Sequence, residues 1–312
     1  MNANLDKAKQ DLARAYPELE VETIEFIGEG DFARAYAVND ELMILFALNP
    51  EGSEFLSREA NLLPHFVKPI DIPIPDISRS GRYGDEGYTF ICYPKIPGIP
   101  ISAERFFDSA PNDQRRFAET ISQFLQQLHS FNIEKARQAE IEERDYGKEN
   151  RRHLEKSREL IYPLVDQRVR DYIEKIFDEN TEPDFSPVLM HDDLSAEHIL
   201  FDPERREITG IIDFSDMIIG DGIEDLMYLY DDFGVDFMDI FLEYYYDGNR
   251  RSLLERLHFY HECHTIGRIL WAIENDYEPG VDFRLKELAG LVETSTSPAW
   301  ERIIDSYERI VD

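Results

Sequence analysis

The hydrophobic pattern of this chain changes period once, just after Pro100, and that change constrains the fold more than any other feature. Residues 21–49 alternate apolar and polar side chains and break at Gly28-Glu29-Gly30 and at Asn39-Asp40. A period of two with such breaks predicts three strands joined by a glycine loop and a tight turn. GSEFLSREANLLPHFV follows, with helical spacing at Phe55, Leu56, Leu62 and Leu63 and with Ser53 as the expected N-cap. KPIDIPIPDIS and GYTFICYPKIPGIPIS supply two more extended runs, punctuated by prolines. Together these segments predict a five-stranded sheet with one helix.

Beyond Pro100 the apolar residues recur at helical spacing. RRFAETISQFLQQLHSF is one such segment, and NRRHLEKSRELIYPLVDQRVRDYIEKIF holds one or two more. From Ile223 onward the pattern is helical again, with Gly234, Gly248 and Pro279-Gly280 as breaks. The expected class is α+β, with a strand-rich N-terminal lobe over residues 1–97 and a larger helical C-terminal lobe over residues 98–312. The opening MNANLDKAKQDLARAYPELE reads as an amphipathic helix of the fold.

Charge and composition narrow the partners. The chain carries 33 Lys and Arg against 65 Asp and Glu, a formal net charge of -32. Nucleic acid demands a basic face, so it is not expected as a partner. An acidic cleft would instead concentrate cations. No apolar run approaches the roughly 20 residues that span a bilayer, so no membrane partner is expected. Cys92 and Cys263 are the only cysteines and cannot build a disulfide framework, which points to a reduced, cytoplasmic setting.

The chemistry concentrates in HDDLSAEHILFDPERREITGIIDFSD, from His191 to Asp216. Two short apolar runs, PVLMH and EITGIIDF, flank the loop and predict a small hairpin that gathers Asp193, His198 and Asp213 around one concavity. Phosphoryl transfer needs a carboxylate to orient and deprotonate a hydroxyl, and ligands to hold a divalent cation against phosphates. Asp192 and Glu197 are expected to face solvent, and Asp225 to brace the loop from the following helix. His258, His261, Cys263 and His264 lie at helical spacing, where packed histidines or a zinc site are both conceivable.

The motif pair HxDxxxxN and IIDF resembles the signature of aminoglycoside phosphotransferases, which share the protein-kinase-like fold. Here it reads His191-Asp192-Asp193-Leu194-Ser195-Ala196-Glu197-His198, then Gly210-Ile211-Ile212-Asp213-Phe214-Ser215-Asp216. The segment from Ile219-Gly220-Asp221 to Glu224-Asp225-Leu226 resembles the family's GDP…DL stretch, and the whole is most similar to the 2″-type enzymes. The resemblance implies Asp193 as catalytic base, with Asp213 as principal metal ligand and His198 beside it, holding Mg2+. His198 stands where the family usually has Asn, as it also does in some relatives such as macrolide phosphotransferases. ATP or GTP is the implied donor, bound by Gly28, Gly30, Glu59, Ile91, Tyr93, Leu200 and Ile212. The acceptor is implied to be a small, cationic hydroxyl compound, met by Ser195, Asp216, Asp231, Glu262 and Trp271.

One departure is plain. The family pairs the helix glutamate, here Glu59, with a strand Lys or Arg that positions the nucleotide phosphates. Leu45 takes that place, and no Lys or Arg occurs from Asp40 to Asn49. Arg34 and Lys95 are the nearby candidates to substitute. The readings open at this point are an aminoglycoside kinase tied to antibiotic resistance, a kinase for another hydroxyl compound such as a macrolide or metabolite, and a nucleotide-binding pseudokinase.

Overall fold

The computed structural model describes residues 2–65, 70–179, 185–245 and 250–294. Helix α1 (Asn2–Ala15) precedes three antiparallel strands, β1 (Ile24–Glu29), β2 (Ala33–Val38) and β3 (Leu42–Ala47), as the alternation predicts. Helix α2 (Pro50–Leu62) and strands β4 (Arg79–Tyr83) and β5 (Tyr88–Pro94) complete a five-stranded sheet in the order β1-β2-β3-β5-β4. Side chains alternate across it. Tyr36, Val38, Ile44, Phe46, Phe90 and Cys92 pack with Leu12 of α1 on one face. Ala47, Ile91 and Tyr93 pack with Leu56 of α2 on the other.

Two local expectations are corrected in this lobe. The N-cap of α2 is Asn49, whose side chain accepts from Gly52 N at 2.8 Å, with Pro50 in the first turn. Ser53 lies inside the helix and is buried, accepting from Thr89 N at 2.8 Å to tie α2 to β5. The run KPIDIPIPDIS forms no strand over its described residues, because its prolines lack ladder donors. Its alternating Ile70, Ile72 and Ile74 are buried in the larger lobe's core instead, and the sheet takes its last strand from Arg79–Tyr83.

Strand β6 (Ile99–Pro100) leads into the helical part: α3 (Ala103–Phe107), α4 (Pro111–His129), α5 (Ile133–Gln138), α6 (Tyr146–Lys156) and α7 (Gln167–Glu179). Four short strands follow, β7 (Val188–Met190), β8 (Ile199–Asp202), β9 (Glu207–Ile211) and β10 (Ile218–Gly220), and then α8 (Asp225–Phe241), α9 (Arg250–Glu274) and α10 (Glu278–Thr294). The expected hairpin between the two apolar runs is not formed as such. β7 pairs with β10, Met190 opposite Ile218, while β8 pairs with β9, Ile199 opposite Ile211. The turn between β8 and β9 is closed by Asp202, whose carboxylate accepts from Glu204 N at 2.8 Å and Arg205 N at 3.0 Å. β8 is filled on both edges, by β9 and by β6, and β7 pairs instead with β10 further along the chain.

The core of this part is aromatic. Phe106 and Phe117 lie 5.1 Å apart between ring centroids, and Phe237 sits 5.3 Å from Phe106. These rings join α3, α4 and α8. Among the described residues, no helix is long and apolar enough to cross a membrane. The expected break at Gly248 lies outside the described residues. Pro279-Gly280 falls in the first turn of α10, and the interruption comes just before it, where Asp276 has φ 53.

Gly234 interrupts α8 as expected, with φ 71 and ψ -172. That combination is essentially restricted to glycine. A Cβ there would meet nothing within 4 Å, so only the backbone conformation resists substitution. Gly234→Ala should therefore cost about 1–3 kcal/mol, read as a lowered urea midpoint with an unchanged slope. An unchanged midpoint would show that α8 straightens without penalty.

Candidate active site

The loop that follows β7 is hung from one buried carboxylate. Asp225, at the start of α8, is fully buried and accepts from His191 N at 3.2 Å and from Asp192 N at 2.8 Å. Nε2 of His129 on α4 lies 2.8 Å from the same side chain. Asp225 thus braces the loop, as the sequence leads one to expect. His191 is buried as well. Its Nδ1 accepts from Asp193 N at 3.3 Å, which leaves Nε2–H to donate to Ile212 O at 3.2 Å. Burial pushes the His191 pKa down to about 4, so the ring is a neutral spacer between two strands.

Asp192 departs from expectation. It adopts φ 65, and its carboxylate is gripped by Arg144 at 2.6 and 3.0 Å rather than facing solvent. The grip is bidentate, and Arg144 also donates to Glu224 at 2.9 Å. The left-handed turn at Asp192 reverses the chain and presents Asp193 to the cleft.

His198 stands between two acids. Its Nδ1 donates to the Asp193 carbonyl at 2.8 Å, and its Nε2 lies 3.5 Å from Oδ2 of Asp213. Burial opposes charge on this ring, but Asp213 and the Asp193 carbonyl outweigh it and raise its pKa. Asp213 itself sits at φ 64, two residues beyond β9, and accepts from Ser215 Oγ at 2.7 Å. Burial pushes the Asp193 pKa up to about 7, with Asp216 and Asp213 adding and His198 opposing. A carboxylate poised near neutrality suits proton transfer from a hydroxyl.

The residues fit a hard divalent cation. A ring nitrogen tied to a backbone carbonyl leaves the other free to face a metal, and Asp213 supplies oxygen beside it. Among the described residues no three His, Cys, Asp or Glu groups converge to cage an ion. Phosphate and water would have to complete the shell, which is how Mg2+ is usually held against nucleotides.

These groups open onto a cleft of about 1080 Å3 between the glycine loop, α2 and the loop after β7. Gly28, Gly30, Glu59, Asp193, Ser195, His198, Ile212, Asp213 and Asp216 all line it. The phosphotransferase enzyme family, APH, matches residues 23–260. The chain belongs to this family. Its fold is correspondingly kinase-like. The GDP and kanamycin complex of an APH(2") protein superposes with a TM-score of 0.83 at 24% identity, covering 91% of this chain and 97% of that one. The GDP complex of aminoglycoside 2'-phosphotransferase-IIIa gives 0.85 at 24% identity over 94% and 99%. Macrolide 2'-phosphotransferase MphH from Brachybacterium faecium gives 0.68 at 19% identity over 90% and 96%.

Other expected residues of this APH chain lie off the cleft wall. Ile91 and Tyr93 are buried in the apolar layer under α2, and Leu200 is buried behind the wall. Asp231 is ion-paired to Arg268 at 2.6 Å and faces His261 at 3.3 Å and His264 at 3.5 Å. Burial alone would raise its pKa, but His261, His264 and Arg268 together hold it well below the usual carboxylate range. Glu262 accepts from Tyr172 and lies 3.4 Å from His258, so it too is internally engaged. Trp271 is 56% exposed on α9, edge-on to Tyr277. The histidine cluster thus points at two carboxylates. Arg268, which does line the cleft, was not anticipated. Its spacing from His261 and His264, one face of one helix, was the available signal.

The lobe departure is structural as well as sequential. Leu45 lines the cleft, and Glu59 is 2% exposed with Oε1 lacking any hydrogen-bond partner. Neither expected substitute reaches it. Arg34 pairs across the sheet with Phe46, on the α1 face, and its guanidinium meets Glu29. Lys95 donates to Asp40. Burial raises the Glu59 pKa well above the usual value, and Asp213 and Asp216 raise it further. The unfolded chain loses this proton in the ordinary carboxylate range while the folded chain keeps it. Stability is therefore lost as pH rises above that range, about 1.4 kcal/mol for each tenfold preference for the protonated form. Glu59→Gln should melt higher than the parent at pH 8, with the gain vanishing near pH 4. An equal gain at both values would rule out a buried, protonated Glu59.

Proposed function

We propose that this APH-family protein moves the terminal phosphate of ATP or GTP to a hydroxyl of a small molecule, with an aminoglycoside as the leading acceptor. The observation that carries the reading is the placement of Asp193, His198 and Asp213 on one wall of a cleft whose roof is a glycine loop. Residues 1–97 hold the nucleotide and residues 98–312 supply the catalytic loop and acceptor site. The APH(2") neighbour in complex with GDP and kanamycin supports both halves of this reading.

In this mechanism the Asp193 carboxylate accepts a hydrogen bond from the acceptor hydroxyl and then its proton. The hydroxyl oxygen bonds to the terminal phosphorus as the bond to the bridging oxygen breaks, and a nucleoside diphosphate leaves. Asp213 with His198 would hold Mg2+ against the phosphates, and the ion would supply positive charge for the transferring group. Ser195 and Asp216 line the cleft wall, where they would meet the acceptor. Acids on that wall, among them Glu197 and Asp232, favour a cationic acceptor.

Two observations support second readings. Asp231 is already neutralised by its basic neighbours, which favours an acceptor with fewer amines, such as a macrolide or a metabolite. Leu45 in place of a basic residue favours a nucleotide-binding pseudokinase. Titration calorimetry with Mg-ATP and Mg-GTP, then phosphate transfer to a panel of aminoglycosides, macrolides and sugars, separates the three.

With an active acceptor in hand, Asp193→Asn should keep nucleotide affinity and lower turnover by at least roughly 100-fold, the scale of general-base loss. Full turnover in that variant would remove Asp193 from the role. Asp213→Ala should weaken metal-dependent nucleotide binding far more than His198→Ala, because oxygen suits Mg2+ better than an imidazole nitrogen. A larger loss at His198 would instead point to a softer cation such as Mn2+.

A further inference from the structure

A cavity of about 620 Å3 lies between α1 and the outer face of the N-terminal sheet. Arg34, Tyr36 and Phe46 line it, while Ala33, Ala35 and Leu45 on the same strands line the catalytic cleft from the other face. Phosphoryl transfer uses none of its residues. Asp11 of α1 sets this cavity apart. It lines the wall and is 8% exposed, yet no described residue pairs with it or donates to it. A carboxylate withdrawn from water needs a counter-charge or donors. The basic residues of the wall do not supply one. Lys7 and Arg14, a turn before and a turn after Asp11, line the same cavity and pair with no described residue. Arg34 is held by Glu29.

Rings share the wall with this acid. Phe46 lies 6.1 Å from Tyr36 and 4.6 Å from Tyr83 between centroids, and each pair is edge-on. Burial pushes Tyr83 up to about 12, and the Asp11 carboxylate adds to the shift, so the acid lies close to that ring. A buried acid beside aromatic rings suits an organic ammonium, by ion pairing and by cation–π attraction. Lys7 and Arg14 repel a simple amine and attract an anion instead. At 1.5 Å of rise per residue they are rooted roughly 4.5 to 6 Å along the helix axis from Asp11. Asp85 and Glu86, exposed on the turn between β4 and β5, also border the cavity, which leaves the α1 side to the anion.

We propose that this cavity binds a small zwitterion whose ammonium and anionic group are joined by a short spacer. The ammonium sits on Asp11 among the rings, and the anion lies toward Lys7 and Arg14. An α-amino acid, with both charges on one carbon, spans that separation less well than an ω-amino acid or a phosphocholine group.

Titration calorimetry on the full chain tests this with phosphocholine and 4-aminobutyrate as zwitterions, and with tetramethylammonium and inorganic phosphate as single charges. At least one zwitterion should bind at one site per chain, tenfold or more tighter than either single charge. Asp11→Asn should weaken that zwitterion at least tenfold. Lys7→Ala combined with Arg14→Ala should do the same, and both of those side chains are exposed, so the core is left intact. Should Asp11→Asn fail to fold, the double variant decides alone. Sedimentation of the chain with phosphatidylcholine vesicles would make a lipid headgroup the source of the ligand. Binding of free phosphocholine or 4-aminobutyrate without vesicle binding would make it a free molecule. No binding of either zwitterion at millimolar concentration, or an affinity unchanged in either folded variant, overturns the site and leaves the phosphotransfer reading standing.

Discussion

The buried carboxylate of Asp225 is the fixed point from which the catalytic half of the molecule is hung. It accepts two consecutive backbone amides, His191 N and Asp192 N, and meets the imidazole of His129. A charge at full burial is tolerated only when its lone pairs are filled, and here the backbone fills them. The consequence is directional. Two amides aimed at one carboxylate set the turn at Asp192, and Arg144 clamps the outward side chain of that residue. Asp193, next in the chain, is left with no choice but to face the cleft.

Much of this is legible in the amino-acid sequence. Alternation over residues 21–49 located three strands, because a sheet covered by helices buries every second residue. The acid and histidine spacing of the central motif located Asp193, His198 and Asp213, which the fold brings together on one cleft wall. Pairing was harder. β7 and β10 lie far apart in sequence, and nothing local in PVLMH distinguishes its true partner from the nearer β9. Ser53 passed for a cap because the stronger cap, Asn49, sits behind a proline one turn earlier. Asp231 and Glu262 read as acceptor-binding acids, in a chain where the sequence shows no partner for either. Their neutralisation depends on side chains from α9 and α7 that only the packing of the helices brings alongside.

The cleft joins two unlike electrostatic regimes. Next to the cleft, Asp231 is matched by Arg268, with His261 and His264 beside it, so local charge is nearly balanced. Within the cleft, buried Glu59 has Asp213 and Asp216 raising its pKa, and Leu45 rather than a basic residue lines the strand beside it. A leucine packed against Leu56 and Ile91 stabilises the sheet through burial, whereas a basic residue there would serve the phosphates. In this chain the position contributes to the apolar layer and leaves phosphate charge to be met by other means.

Helix α2 begins where a side chain could not fit. A Cβ on Gly52 would lie 2.1 Å from the carbonyl oxygen of Phe32, so the first turn of α2 rests directly on the backbone just after the glycine loop. Leu48 N also donates to that carbonyl, at 2.7 Å. Loop and helix are therefore geared without a flexible side chain between them. Because a helix transmits displacement along its axis with little bending, a shift of the loop over a bound nucleotide would be delivered two turns later to Glu59. The roof of the cleft and its buried carboxylate are thereby coupled through backbone contact at Gly52.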